Sequence, residues 1–139
     1  MKHLKGIFES FRAAGIKEDI KDIFDVEVDN PDFEMTDASS RVFWLKGLDP
    51  GCFAFKIQKQ ADKSFHVVES FQILELKDFI LRVLSYGEIN PCEIEIYVPL
   101  PLGVEYITKR DIIEAQKSKL GFFSDYKTHT LIIKIRAFE

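Results

Sequence analysis

Residues 92–98 read CEIEIYV, and no other stretch narrows the folding choices of this chain as much. Cys92, Ile94, Ile96 and Val98 alternate with Glu93, Glu95 and Tyr97. Successive side chains of an extended strand point to opposite faces, so this period of two makes one apolar face and one polar face. Such a strand belongs in a sheet covered on one side, which favours antiparallel pairing. The pattern recurs in CFAFKIQKQ, where Phe53, Phe55 and Ile57 share a face. It recurs again over residues 130–138, where Leu131, Ile133 and Ile135 do.

An apolar sheet face needs helices to cover it. Leu4, Ile7, Phe8 and Phe11 predict a first helix, with Gly15 placed as the residue just past its end. Ile16, Ile20, Ile23 and Phe24 predict a second. The period then changes. Phe24, Val26 and Val28 alternate with Asp25, Glu27 and Asp29, which predicts a strand ended by Asn30-Pro31. Residues 30–40 read as a loop. A three-strand meander follows: RVFWLK at 41–46, CFAFKIQKQ after a turn at Pro50-Gly51, and SFHVVESF after Ala61-Asp62-Lys63.

Leu76, Phe79, Ile80, Val83 and Leu84 predict a helix over 75–86, stopped by Gly87. After the 92–98 strand, PLPLG reads as a stiff bend. Thr108 and Asp111 form a start signal close to a capping box. They open a helix over 109–120 that buries Ile112, Ile113 and Leu120 before Gly121. Residues 122–126 read as a short strand. The expected class is α+β: about four helices packed on a mostly antiparallel mixed sheet, in the order ααβββαβαββ.

With 139 residues, 46% hydrophobic and 30% charged, the chain suits one domain over 1–139 with a real core. No apolar run reaches the length of a membrane span. The N-terminus reads as an amphipathic helix and not a signal peptide, so a cytoplasmic protein is expected. Cys52 and Cys92 read as buried free thiols, with a disulfide between them left open by the sequence, and His3, His66 and His129 lack zinc-ligand spacing. Cys52, His66 and Cys92 carry no local nucleophile signature, and GFFSDYKTHT reads as a hairpin loop.

Charge is unevenly spread. Residues 18–37 hold nine acids against one base, Lys21, for a net −8, while the remainder holds 18 bases and 14 acids, for +4. Nucleic-acid binders present a basic face, so that class is excluded. A calcium loop starting at Asp25 fails on Asn30-Pro31, where glycine is wanted, and on Thr36, where a bidentate carboxylate is wanted. The strand reading sets Asp25, Glu27 and Asp29 on one face. Lys134 and Arg136 on the last strand could answer them from within the chain. A basic protein partner could answer them from outside. The acids continue past what two bases can pair. The candidate contact set is therefore Asp22, Asp25, Glu27, Asp29, Asp32, Glu34 and Asp37.

Residues 114–123, EAQKSKLGFF, contain Lys119-Leu120-Gly121-Phe122. With the element order, this stretch resembles the end of the last helix in the GNAT-type N-acetyltransferase fold. That resemblance implies a glycine-bearing loop after the meander, where backbone N–H groups receive the pyrophosphate of acyl-CoA. Here the place reads ESFQILELKDF. Gln72 matches the loop's start, but Glu75 and Leu76 stand where small residues belong, and Lys117 falls near the family's tyrosine acid. The resemblance thus implies a degenerate, GNAT-like member without cofactor.

The expected function is a small non-enzymatic binding protein, of inhibitor, immunity or adaptor type, that meets a basic protein. An atypical acyl-CoA-dependent N-acetyltransferase and a phage or virion structural protein are the alternatives. Neither nucleic acid nor membrane is an expected partner.

Overall fold

Cross-strand pairing carries the apolar alternation of residues 92–98 through the width of a sheet. The computed structural model describes residues 2–37, 52–62, 67–90, 92–100, 103–117 and 127–137. In chain order these form α1 (Lys2–Glu27), β1 (Phe33–Asp37), β2 (Cys52–Asp62), β3 (Val67–Glu69) and β4 (Phe71–Gln72). A 3-10 turn (Ile73–Leu76) leads into α2 (Lys77–Ile89). Then come β5 (Cys92–Leu100), β6 (Gly103–Ile107), α3 (Lys109–Lys117), β7 (Lys127–Thr128) and β8 (Leu131–Ala137). Strands lie side by side in the order β1-β2-β8-β5-β6, each neighbouring pair antiparallel. β3 pairs the far end of β2, and β4 with β7 makes a separate ribbon. The fold class is α+β with an antiparallel sheet.

The register explains the core. Phe55 lies opposite Ile133, and Ile133 opposite Ile96. Phe53, Ile135 and Ile94 make the next row, and all six side chains are buried. Each such side chain contributes about 1.5–3 kcal/mol relative to exposure. On the other face the corresponding rows are charged: Glu93 opposite Arg136, and Glu95 opposite Lys134. The helices cover the apolar face, with α2 against β5 and α3, and α1 against α2 and β8. Ile20, Ile23, Phe79, Ile80, Val83 and Ile112 seal that layer. Among the described residues no helix is long and apolar enough to cross a membrane.

Two local signals behave as their chemistry demands. The Thr108 N–H donates to Asp111 Oδ2 at 2.8 Å, and the Asp111 N–H donates to Thr108 Oγ1 at 3.2 Å. That reciprocal box starts α3, as the sequence predicts. Ile112 is buried and Ile113 half-buried, while Leu120 lies outside the described residues. The 92–98 alternation also holds, with Cys92, Ile94, Ile96 and Val98 all buried.

Other expectations need correction. α1 is one helix of 26 residues where two helices and a strand were expected. Gly15 lies inside it, and residues 24–27 are its final turn. The strand reading required Phe24, Val26 and Val28 to share a buried face, yet Val26 is 66% exposed. The helical set Ile16, Ile20 and Ile23 is buried instead, and the Phe24 ring meets Phe79 edge-on at 5.6 Å. The first strand is β1, within the presumed loop. Its inward residues are Phe33 and Met35, packed opposite Lys59 and Ile57.

Gly87 does not stop α2. A Cβ there would lie 3.2 Å from Ile94, so the missing side chain lets the helix approach β5 closely. α2 ends at Asn90, whose N–H and Nδ2 both donate to the Tyr86 carbonyl at 3.0 Å. PLPLG does not act as a bend alone: Pro99 and Leu100 belong to β5, and β6 folds back on them. Among the described residues three α-helices and one 3-10 turn stand where about four helices were expected. The RVFWLK strand, the Pro50-Gly51 turn, His66, the Lys119–Phe122 stretch and residues 122–126 lie outside the described residues.

Gly15 is exposed, and a Cβ there would touch nothing within 4 Å. Gly15→Ala should therefore stabilise the protein by about 0.5–1 kcal/mol through helix propensity. Urea unfolding measures this. A glycine past a helix end in left-handed geometry would show the opposite sign.

Candidate functional site

The acids of α1 are sorted by helical geometry. Ile16, Ile20 and Ile23 point to the core, so Glu18, Asp22 and Asp25, at spacings of four and three, line the opposite, solvent face. Asp19 is turned sideways to α2, where its Oδ2 accepts a 2.5 Å bond from the Tyr86 hydroxyl. Glu27, at the helix end, accepts from Arg82 Nη1 at 3.1 Å. Lys17 is turned to the other flank. Its Nζ lies 3.5 Å from Asp37 of β1 and 5.0 Å from the Phe53 ring centre.

The seven predicted contact residues therefore do not form one face. Glu27 and Asp37 are engaged within the chain by Arg82 and Lys17. Asp32 sits in the turn into β1, where its N–H donates to Asn30 Oδ1 at 2.9 Å and its carbonyl accepts from Gln60 N–H at 2.8 Å. Glu34 points away from buried Phe33, to the sheet face opposite the helices. The side chains of Asp22, Asp25, Asp29, Asp32 and Glu34 have no hydrogen bond or ion pair among the described residues.

Lys134 and Arg136 do not answer these acids. β8 lies between β2 and β5, and its outward bases face β5 across the ladder. Arg136 Nη2 donates to Glu93 Oε2 at 2.8 Å, and Lys134 stands opposite Glu95. α1 packs on the other side of the sheet, so its carboxylates are out of reach. On the polar face Tyr97 donates its hydroxyl to Glu95 and tilts against Tyr106, with ring centres 5.6 Å apart.

Sequence reasoning missed what α2 brings to α1. The two helices run antiparallel, since Asp19 meets Tyr86 while Phe24, later on α1, meets Phe79, earlier on α2; Arg82 also reaches Glu27. Between them runs an open trough of about 690 Å³. Ile23 and Leu81 contribute to its floor, Asp22 borders it on α1, and Ile89 stands at one end, 83% exposed. Arg82, Tyr86 and Ile89 recur at spacings of four and three, a stripe beside the buried one. Reading Gly87 as a stop hid it, because Ile89 then fell outside the helix.

Neither cysteine forms a disulfide. Cys52 is on β2 and Cys92 on β5, with β8 between them. Two strand spacings, about 9.6 Å, exceed the reach of a disulfide. Burial pushes the Cys92 thiol above its ordinary range, which leaves it poorly nucleophilic at neutral pH. Among the described residues no group of three or more His, Cys, Asp or Glu is placed to hold a metal ion. His129 is exposed in the bend between β7 and β8. Compared with family models, with curated proteins and with solved structures, the chain gives no match.

The Tyr86 phenol is held above its ordinary pKa, first by burial and then by its bond to the Asp19 carboxylate. A raised folded-state pKa means the neutral phenol stabilises the fold below the unfolded value of about 10. That stabilisation is lost as pH rises beyond it. Tyr86→Phe should therefore weaken the alkaline fall in stability, and wild-type phenolate absorbance should appear later than in a free tyrosine. Because burial also raises Tyr97, the Tyr86 share is the late-titrating phenol that Tyr86→Phe removes, and an unchanged late phase in that variant would refute the raised Tyr86 pKa.

Proposed function

We propose that this chain is a non-enzymatic binding protein, of inhibitor, immunity or adaptor type, whose acidic surface engages a basic protein partner. The observation that carries this reading is the charge at the end of α1. Carbonyl groups at a helix C-terminus make it the negative pole, where bases are favoured and acids cost stability. The last turn of α1 nevertheless holds no base, and Asp22, Asp25 and Asp29 lead into and out of it with no partner among the described residues. Local stability does not account for these acids. An electrostatic role toward another molecule does, because clustered like charges speed and orient the encounter with an opposite surface. The same field repels nucleic-acid phosphates.

The acetyltransferase alternative draws on the resemblance in element order. In that fold the start of the helix after the meander receives an anion. Here Glu75 Oε2 accepts from the Gln72 N–H at 2.8 Å, and its Oε1 lies 3.4 Å from Lys59 Nζ. A carboxylate already occupying that helix start supports the non-enzymatic reading. Calorimetry with acetyl-CoA separates the two: saturable heat in the micromolar range would favour the enzyme.

Asp25→Lys with Asp29→Lys tests the main reading. Affinity for the partner, captured with the wild-type protein and then titrated, should fall about tenfold or more and lose much of its salt dependence. Stability should hold or rise by about 0.3–1 kcal/mol, as bases replace acids at the negative pole. Unchanged affinity would falsify the assignment of this surface.

A further inference from the structure

Resting on that reading, we propose that the trough between α1 and α2 seats a short basic segment of the partner that carries an apolar anchor. Two kinds of chemistry converge there. Ile23 and Leu81 give an apolar floor, and Ile89, 83% exposed, extends apolar surface into solvent beyond it. Exposing a whole isoleucine is unfavourable in the free protein, and covering it favours the bound state. Along the α1 edge, Asp22 borders the trough with no partner among the described residues, and Asp25 follows one turn later on the solvent face.

The remaining polar side chains are already committed. Tyr86 is tied to Asp19 at 2.5 Å and Arg82 to Glu27 at 3.1 Å, two cross-links that hold the helices apart at a set spacing. Arg82 is thus neutralised, and the unanswered charge at the rim is negative. A ligand complementary to this surface sets aliphatic side chains against Ile89 and Leu81, and Lys or Arg toward Asp22 and Asp25. The apolar contact supplies lifetime and the charges supply orientation.

Charge also selects among occupants. A second copy of this chain, joined face to face, would bring Asp22 and Asp25 against the same acids across the two-fold axis. An anionic lipid surface or nucleic acid would meet those acids as well. A basic, partly apolar peptide segment is the class that gains on both counts, and an amphipathic helix laid in a groove is one established way to supply it.

Fluorescence anisotropy with three labelled synthetic peptides of about 15 residues tests this. One places Leu and Lys or Arg at helical spacing, one keeps the bases but has Ser for Leu, and one keeps Leu but has Glu for the bases. The first should bind saturably, and the other two about tenfold more weakly or worse. Ile89→Ser, at a site too exposed to unfold the protein, should weaken the first peptide about tenfold. Asp22→Asn should flatten its salt dependence. The proposal is overturned if the first peptide does not bind at millimolar concentration, or if Ile89→Ser binds it like wild type. It is equally overturned if sedimentation shows a wild-type dimer that Ile89→Lys dissolves, since a second copy would then be the occupant. None of these outcomes touches the broader reading, which depends on reversal at Asp25 and Asp29.

Discussion

β8 is paired on both sides, to β2 and to β5, and much of the described structure depends on that double ladder. Its inward residues Leu131, Ile133 and Ile135 fill the centre of the apolar face, while Lys134 and Arg136 look outward between the acids of β5 and the backbone of β2. A slip of one residue would exchange the two sets and bury two bases beneath the helices. Burial of an unpaired charge is costly enough that one register is strongly preferred. Ile132, on the outward side, is buried as well, so the polar face is not uniformly wet near the middle of the sheet.

With the sheet's apolar face defined, the helices have little freedom. α2 lies close to β5 because Gly87 lets it approach Ile94. α1 is then seated against α2 by Phe24 on Phe79 and by the polar ties at Asp19 and Glu27. These ties leave the solvent face of α1 to Glu18, Asp22 and Asp25, and leave a trough with an exposed isoleucine at its end. The surface charge and the trough are thus consequences of how the helix pair packs. The acids near the end of α1 stand against the helix dipole, which ties local instability to the proposed recognition surface.

The strands β2, β5 and β8 and the start of α3 were legible in the sequence because their signals are local. Alternation reports a half-buried strand, and Thr108 with Asp111 satisfies the first N–H groups of a helix whatever surrounds it. The end of α1 was misread because its pattern admits two periods. Phe24, Val26 and Val28 alternate, while Ile16, Ile20, Ile23 and Phe24 also recur at helical spacing. Phe79 selects the helix by giving Phe24 a packing partner. β1 was missed because Glu34, Thr36 and Asp37 made FEMTD look like a polar loop. It is a strand because β2 offers it a ladder.

The candidate site divides along the same line. Sequence alone determined that residues 18–37 concentrate acids and that the apolar residues of three strands lie on one side, since composition and a period of two need no partner to be read. Tertiary structure alone decided which acids stay unanswered. Lys17, Arg82 and Tyr86 reach Asp37, Glu27 and Asp19 across separations of 20, 55 and 67 residues, whereas Lys134 and Arg136 are held on the far side of the sheet. Charge pairing depends on distance in space, and no periodicity in a chain reports which of its remote parts will meet.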